Sequence, residues 1–279
     1  TGQEVTAAVV SNMTRGRSCS CLMAEKAETD VFPIDIGIAC EVEHQGKLHP
    51  LTERKIRRGT SNFTKEAAMT RQEVLTAVLT GIDAVRVLKD REYRLFTVGE
   101  MGIGNTTTSS AVASVLLRKE PELVTGCGAG LDLAGLKRKT KAIRRGIDLH
   151  QPDPMDGMDV LQKVGGFDLA AMAGAFLGGA IYHVPVVIDG VIAAAAAAAA
   201  GRIAPAATDY MLAAHVSAEP ASIWLLDLIG VTPAIRAGLR LGEGTGALAL
   251  FPLLDMALSI YRDMDTFAEM EIEEYKPLV

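Results

Sequence analysis

The chain has 279 residues, 49% of them apolar and 22% charged, enough to bury one large α/β domain or a large domain with a small one. A net charge of −6 gives no electrostatic footprint for nucleic acid, and 5% aromatics with a single tryptophan, Trp224, argue against binding single strands by stacking. The four cysteines, Cys19, Cys21, Cys40 and Cys127, lack Cys-x-x-Cys spacing, so they read as plain thiols in a reducing compartment rather than metal ligands.

In chain order, apolar spacing predicts a helix over Gln3 to Asn12, and alternation predicts a strand over Val31 to Ile38. Glu41 to Thr64 is polar and turn-rich, a connecting excursion. Its Arg54, Lys55, Arg57 and Arg58 read as solvated surface, or as contacts to an anionic substrate or a partner subunit. Thr70 and Glu73 form a capping box ahead of Val74, Val78, Ile82 and Val85, which opens a helix running to about Asp90.

Arg94 to Val98 is a strand, broken by Gly99, Gly102 and Gly104 before a helix over Thr106 to Leu117. A second glycine turn, Gly126 to Gly130, leads into a basic helix over Leu133 to Leu149. A short helix over Asp159 to Val164 and a small-residue helix over Leu169 to Tyr182 follow. Val184 to Ile188 reads as a buried strand ending at Asp189-Gly190, before an alanine-rich helix. Alanine is only weakly apolar and Asp189 interrupts the run, so it falls short of a membrane span. Met211 to Val216 is a strand ending at Ser217, with a helix over Glu219 to Leu228 after it. Leu239 to Leu241 then leads through Gly242-Glu243-Gly244-Thr245-Gly246 to a helix over Ala247 to Arg262, and the acidic tail beyond Asp265 is peripheral. Strands that alternate with helices and end in glycine plus a polar residue predict an α/β, doubly wound, mostly parallel sheet, Rossmann-like and three-layered, with ligands at its carboxyl edge.

The glycine turns carry the chemistry. Backbone N–H groups and a helix N-terminus stabilise an anion there, yet two turns hold an acid, Glu100 and Glu243, flanked by glycines that leave them uncovered. They are either turn acids in solvent or a base and its orienter on one pocket. Asp189 reads as a helix N-cap or a ligand-facing acid, and Lys139 as a solvated cation or the partner of an anion. Thr107 stands where a dinucleotide fingerprint needs its third glycine. No Lys-Ser/Thr closes a phosphate loop, and no Gly-x-Ser-x-Gly elbow occurs.

The strings GEMGIGNTTTSSA, VTGCGAGLD, LKRK, QPDPMDGMDVLQKVGGFDLAAMAGAFLGGA, VPVVIDG, DYMLAAHVSAEP and LRLGEGTGA resemble, in order and spacing, the nicotinate-nucleotide:dimethylbenzimidazole phosphoribosyltransferase family of cobalamin nucleotide-loop assembly. The resemblance covers the chain from about Gln3 to Met264. It implies a large α/β phosphoribosyl-binding domain over 30–245, and a small helical domain over 1–29 and 246–279 whose N-terminal part is truncated here. It also implies a cytoplasmic homodimer with no cofactor and no metal. The implied reaction moves phosphoribosyl from nicotinate mononucleotide to 5,6-dimethylbenzimidazole or a related base, with inversion at the anomeric carbon. On the same basis Glu243 is the proton acceptor and Glu100 lies beside the incoming base. Gly102, Gly104, Asn105, Thr106, Gly126, Gly128, Lys139, Asp189, Gly190, Ser217, Leu241 and Gly242 surround the substrates. Cys127 replaces a common arginine of the family. A partner-dependent or non-catalytic relative that binds nucleotide, or one that activates a phenolic or purine base, is the competing expectation.

Overall fold

The computed structural model describes residues 2–273. It opens with helices α1 (Glu4–Thr14) and α2 (Cys19–Lys26), followed by a two-stranded parallel pair, β1 (Ile34–Asp35) and β2 (Thr52–Glu53). The strand expected over Val31 to Ile38 is cut to two residues. The Asp35 carboxylate accepts from the N–H groups of Gly37 and Ile38, a local alternative that turns the chain out of the ladder. Helix α2 has no apolar periodicity to announce it. It starts because Ser18 accepts from the Cys21 N–H as an N-cap.

The capping box at Thr70 and Glu73 is complete, with both reciprocal bonds formed, and α3 spans Arg71–Asp90. Glu73 also receives Arg57, whose guanidinium donates to the carbonyls of Gly59 and Ala68. Lys55 pairs with buried Asp35 at 3.1 Å, and Arg58 pairs with Glu41. Three of the four clustered basic residues, Lys55, Arg57 and Arg58, are therefore ion-paired within the chain itself. Their ion pairs pin a segment that has little secondary structure of its own.

β3 (Phe96–Thr97), α4 (Asn105–Leu117), α5 (Pro121–Val124), α6 (Leu133–His150), α7 (Gly157–Val164), α8 (Phe167–Tyr182) and β4 (Val186–Ile188) come next. They are followed by α9 (Val191–Ile203), a 3₁₀ turn (Pro205–Tyr210), β5 (Met211–Ala213), α10 (Ser222–Leu228) and α11 (Thr245–Asp263). The sheet is parallel throughout, in the order β3-β4-β5. Alternation along β4 divides its side chains. Val186 and Ile188 enter the main core with α3, α4, α8 and α9, whereas Val187 joins Ala214, Ala24 of α2 and Leu248 and Phe251 of α11 on the opposite face. Helices thus cover both faces, as the sequence pattern predicts.

Small residues set the spacing of the helical layer. A side chain on Gly81 or Gly174 would strike the backbone of the facing helix, so α3 and α8 cross at near backbone contact. Ala193 to Ala200 of α9 are all buried. The alanine run is a packing surface, and among the described residues no helix is long and apolar enough to cross a membrane. The second half of α11 leaves Leu253, Met256, Ile260 and Tyr261 exposed, as are the acidic residues that follow it up to 273. The remainder of the tail, and Thr1, lie outside the described residues.

Candidate active site

The carboxyl ends of β3, β4 and β5 open into a cavity of about 160 Å³. From the loop after β3 come Glu100, Gly102, Gly104, Asn105 and Thr106. Asp189 and Gly190 come from the end of β4 and Ser217 from beyond β5, while Gly128, Leu241 and Gly242 close the rim. Ten of the twelve expected substrate-binding positions therefore meet at one cavity, and Glu100 meets them there. The other two, Gly126 and Lys139, stand one layer behind. Lys139 is 6% exposed, and its ammonium donates to Thr106 Oγ1 at 2.9 Å and to the Gly126 carbonyl at 3.0 Å. Burial pulls its pKa down, and Glu219 and then Cys127 oppose that shift. Lysine at this position is a buried brace of the glycine turn rather than one of the solvated cations on α6.

Glu243 is held differently from Glu100. Gly242, Glu243 and Gly244 are consecutive left-handed residues, with φ of +88°, +57° and +76°. For a glutamate that conformation costs on the order of 1 kcal/mol, and such strain concentrates at functional sites. Two contacts enforce it. The Glu243 N–H donates to the Glu100 carbonyl at 3.1 Å, and a Cβ on Gly99 would lie 2.5 Å from the Gly244 nitrogen. The two acidic turns are therefore joined backbone to backbone, with glycine required at the seam. The Glu243 carboxylate lies outside the cavity wall and points to the N-terminus of α2. There Oε2 accepts from both the N–H and the hydroxyl of Ser20 at 3.3 Å, which leaves Oε1 for other partners. Sequence reasoning missed Ser20, because nothing local marks a serine between two cysteines as the neighbour of a residue 223 positions away.

Asp189 is 4% exposed and accepts from the Ala247 N–H at 3.0 Å. It caps a helix, as one reading of the sequence held, but the helix is α11 and not α9, which starts at Gly190 without a side-chain cap. Its other neighbour is His215, 3.7 Å away and 3% exposed, whose Nδ1 has no hydrogen-bond partner among the described residues. His215, Glu219 and Arg240 also line the cavity and were not assigned to the site from the sequence, His215 because beside Ser217 it has no third partner to suggest a triad. His215 and Glu219 lie inside the recognisable string DYMLAAHVSAEP, which was the available signal.

Glu100 is a strongly perturbed acid in the site. Its pKa is pushed up to about 8, first by burial and then by Asp168, Asp189 and Glu243, with the Asn105 amide opposing. Asp168 is raised as well, again chiefly by burial. Between the ordinary carboxylate range and about pH 8 the folded protein holds a proton on Glu100 that the unfolded chain has released, so stability falls as pH rises through that window. Glu100→Gln carries no such penalty. In thermal unfolding from pH 5 to 9 the variant is expected to gain Tm relative to the parent as pH rises. A difference that does not change with pH would contradict a protonated Glu100.

The fold and the cavity put the protein among parallel α/β enzymes whose loops gather their ligand at the carboxyl edge of the sheet. The family described as DBI_PRT, Phosphoribosyltransferase, matches residues 1–272. The nicotinate-nucleotide–dimethylbenzimidazole phosphoribosyltransferase of Clostridium acetobutylicum is 45% identical over 276 residues, covering 99% of this chain and 77% of its own length. The protein of the same name from Ruminiclostridium cellulolyticum is 43% identical, again with 99% and 77% covered. The crystal structure of CobT from Thermus thermophilus superposes with a TM-score of 0.92 at 37% identity, covering 99% of this chain and 81% of that one. The chain belongs to this phosphoribosyltransferase family.

Proposed function

We propose that the protein transfers the phosphoribosyl group of nicotinate mononucleotide to 5,6-dimethylbenzimidazole, giving α-ribazole 5′-phosphate and nicotinate for cobalamin nucleotide-loop assembly. The observation that carries this reading is the junction of the two acidic glycine turns beside one cavity, in a chain 45% identical to an enzyme of that name. The glycosidic nitrogen of the donor is already a cationic pyridinium. It leaves with the bond electrons as neutral-ring nicotinate and needs no acid. The unprotonated benzimidazole nitrogen attacks the anomeric carbon from the opposite face, and the N–H proton on the ring's other nitrogen is the one that must be removed.

Glu243 is the acceptor of that proton in this reading, with Ser20 holding one carboxylate oxygen and the other left to take the proton. Glu100 flanks the incoming base. The phosphoribosyl group lies on Gly102, Gly104, Asn105, Thr106 and the Gly126 to Gly128 turn, with Lys139 behind it and Asp189, Gly190, Ser217, Leu241 and Gly242 around it. Backbone donors backed by one cation suit a phosphate. The joint packing of α2 with α11 supports a small helical unit built from 1–29 and 246–279 beside a large one over 30–245. A cytoplasmic homodimer is part of the same proposal.

The test is direct. Incubated with nicotinate mononucleotide and dimethylbenzimidazole, the protein is expected to release nicotinate and form α-ribazole phosphate, followed by chromatography and mass spectrometry. Mononucleotide binding by calorimetry without nicotinate release would establish a non-catalytic relative instead. Turnover with phenolic or purine bases alone would reassign the acceptor.

A further inference from the structure

The Asn105 side chain makes an unusual double donation. Its one amide nitrogen donates to Glu100 Oε2 and, at 2.8 Å, to Asp168 Oδ2. Both hydrogens of the Nδ2 group are thereby committed to carboxyls, one on the loop after β3 and one in the first turn of α8. Glu100 lines the cavity, whereas Asp168 stands behind Asn105 and does not line it. The free oxygen of Glu100, Oε1, lies toward the rim, 2.7 Å from where a Cβ on Gly242 would sit. The carboxyl is thus tied at its inner oxygen and presented at its outer one.

The acids facing Glu100 are Asp168 from α8, Asp189 from the end of β4 and Glu243 from the turn before α11. Two half-buried carboxyls bridged by a single amide nitrogen, with no cation on the bridge, repel when both are ionised, so the charge on one holds the proton on the other.

We propose that Asp168 is a positioning residue for the transfer, acting through Asn105 to fix the Glu100 carboxyl against the incoming base and to hold the bridged pair to one negative charge. This rests on the phosphoribosyltransferase reading for its kinetic part only. Asp168 does not touch the substrate. Its charge decides whether Glu100 meets the base as a hydrogen-bond donor or as an acceptor.

The experiment titrates the protonated-carboxyl infrared band of Glu100, assigned by its loss in Glu100→Gln, in the parent, Asp168→Asn and Asn105→Ala. Removing the Asp168 charge is expected to lower the Glu100 midpoint by about one pH unit or more. Removing the Asn105 amide, which favours the ionised form, is expected to raise it. In Asp168→Asn kcat falls by about tenfold, the KM for nicotinate mononucleotide holds, and the pH limb of kcat/KM that Glu100→Gln abolishes moves to lower pH with the infrared midpoint.

An unmoved midpoint in Asp168→Asn, with only Tm lowered, would overturn the proposal and leave Asp168 as a residue of the α8 N-terminus. A protein that releases no nicotinate would defeat the functional reading while the infrared midpoints still decided the role of Asp168.

Discussion

Glu243→Gln is expected to lower kcat for phosphoribosyl transfer by about 10²-fold or more, the usual cost of losing a positioned general base. Glutamine keeps the length of the side chain and can accept from Ser20, so the strained turn and its bond to the Glu100 carbonyl persist. What disappears is a basic oxygen for the N–H proton of the acceptor. Because Glu243 lies outside the wall of the cavity, the KM for nicotinate mononucleotide should change little. The loss then falls on kcat, the pattern of an interaction made in the transition state. Steady-state kinetics alongside thermal unfolding check this. Parental kcat in a folded Glu243→Gln protein would remove Glu243 as the base. Ser20→Ala should reproduce a smaller part of the same loss.

The second large effect concerns packing. Gly246 is the second residue of α11, and a methyl group there would overlap the His215 ring and come within 2.9 Å of Asp189 Oδ1. The ring is buried and cannot turn aside, so the helix must retreat from the sheet and draw the Glu243 turn with it. Gly246→Ala should therefore cost about 3 kcal/mol of stability, at the upper end for overpacking, and abolish most of the activity. Denaturant midpoints measure the first and nicotinate release the second. Since the clash is with one ring, His215→Ala in the same chain should restore part of the stability, a coupling that independent sites do not have. Additive losses in the double variant would mean that the helix had already moved.

Much of the fold was legible because periodicity is local. The capping box at Thr70, the apolar run of β4 and the glycine breaks after each strand predict a parallel sheet with helices on both faces, and the chain has one. The failures were also physical. Asp35 bonds its own backbone and ends β1 early, and Ser18 nucleates α2 without an amphipathic pattern.

At the site, the sequence alone determined the residue types and the turns: two acids flanked by glycine, anion-binding loops, and the strings that carry the family resemblance. Only the tertiary structure decided how they meet. It set Glu243 against Ser20 and not on the cavity wall, and turned Asp189 to α11. It withdrew Lys139 behind the glycine turn and bridged Glu100 to Asp168 through a single amide. The reason is separation along the chain. Lys139 with Thr106, Asp189 with Ala247, Asn105 with Asp168 and Ser20 with Glu243 are each at least 33 positions apart, where neither propensity nor spacing carries information, and packing of the parallel sheet brings them within bonding distance.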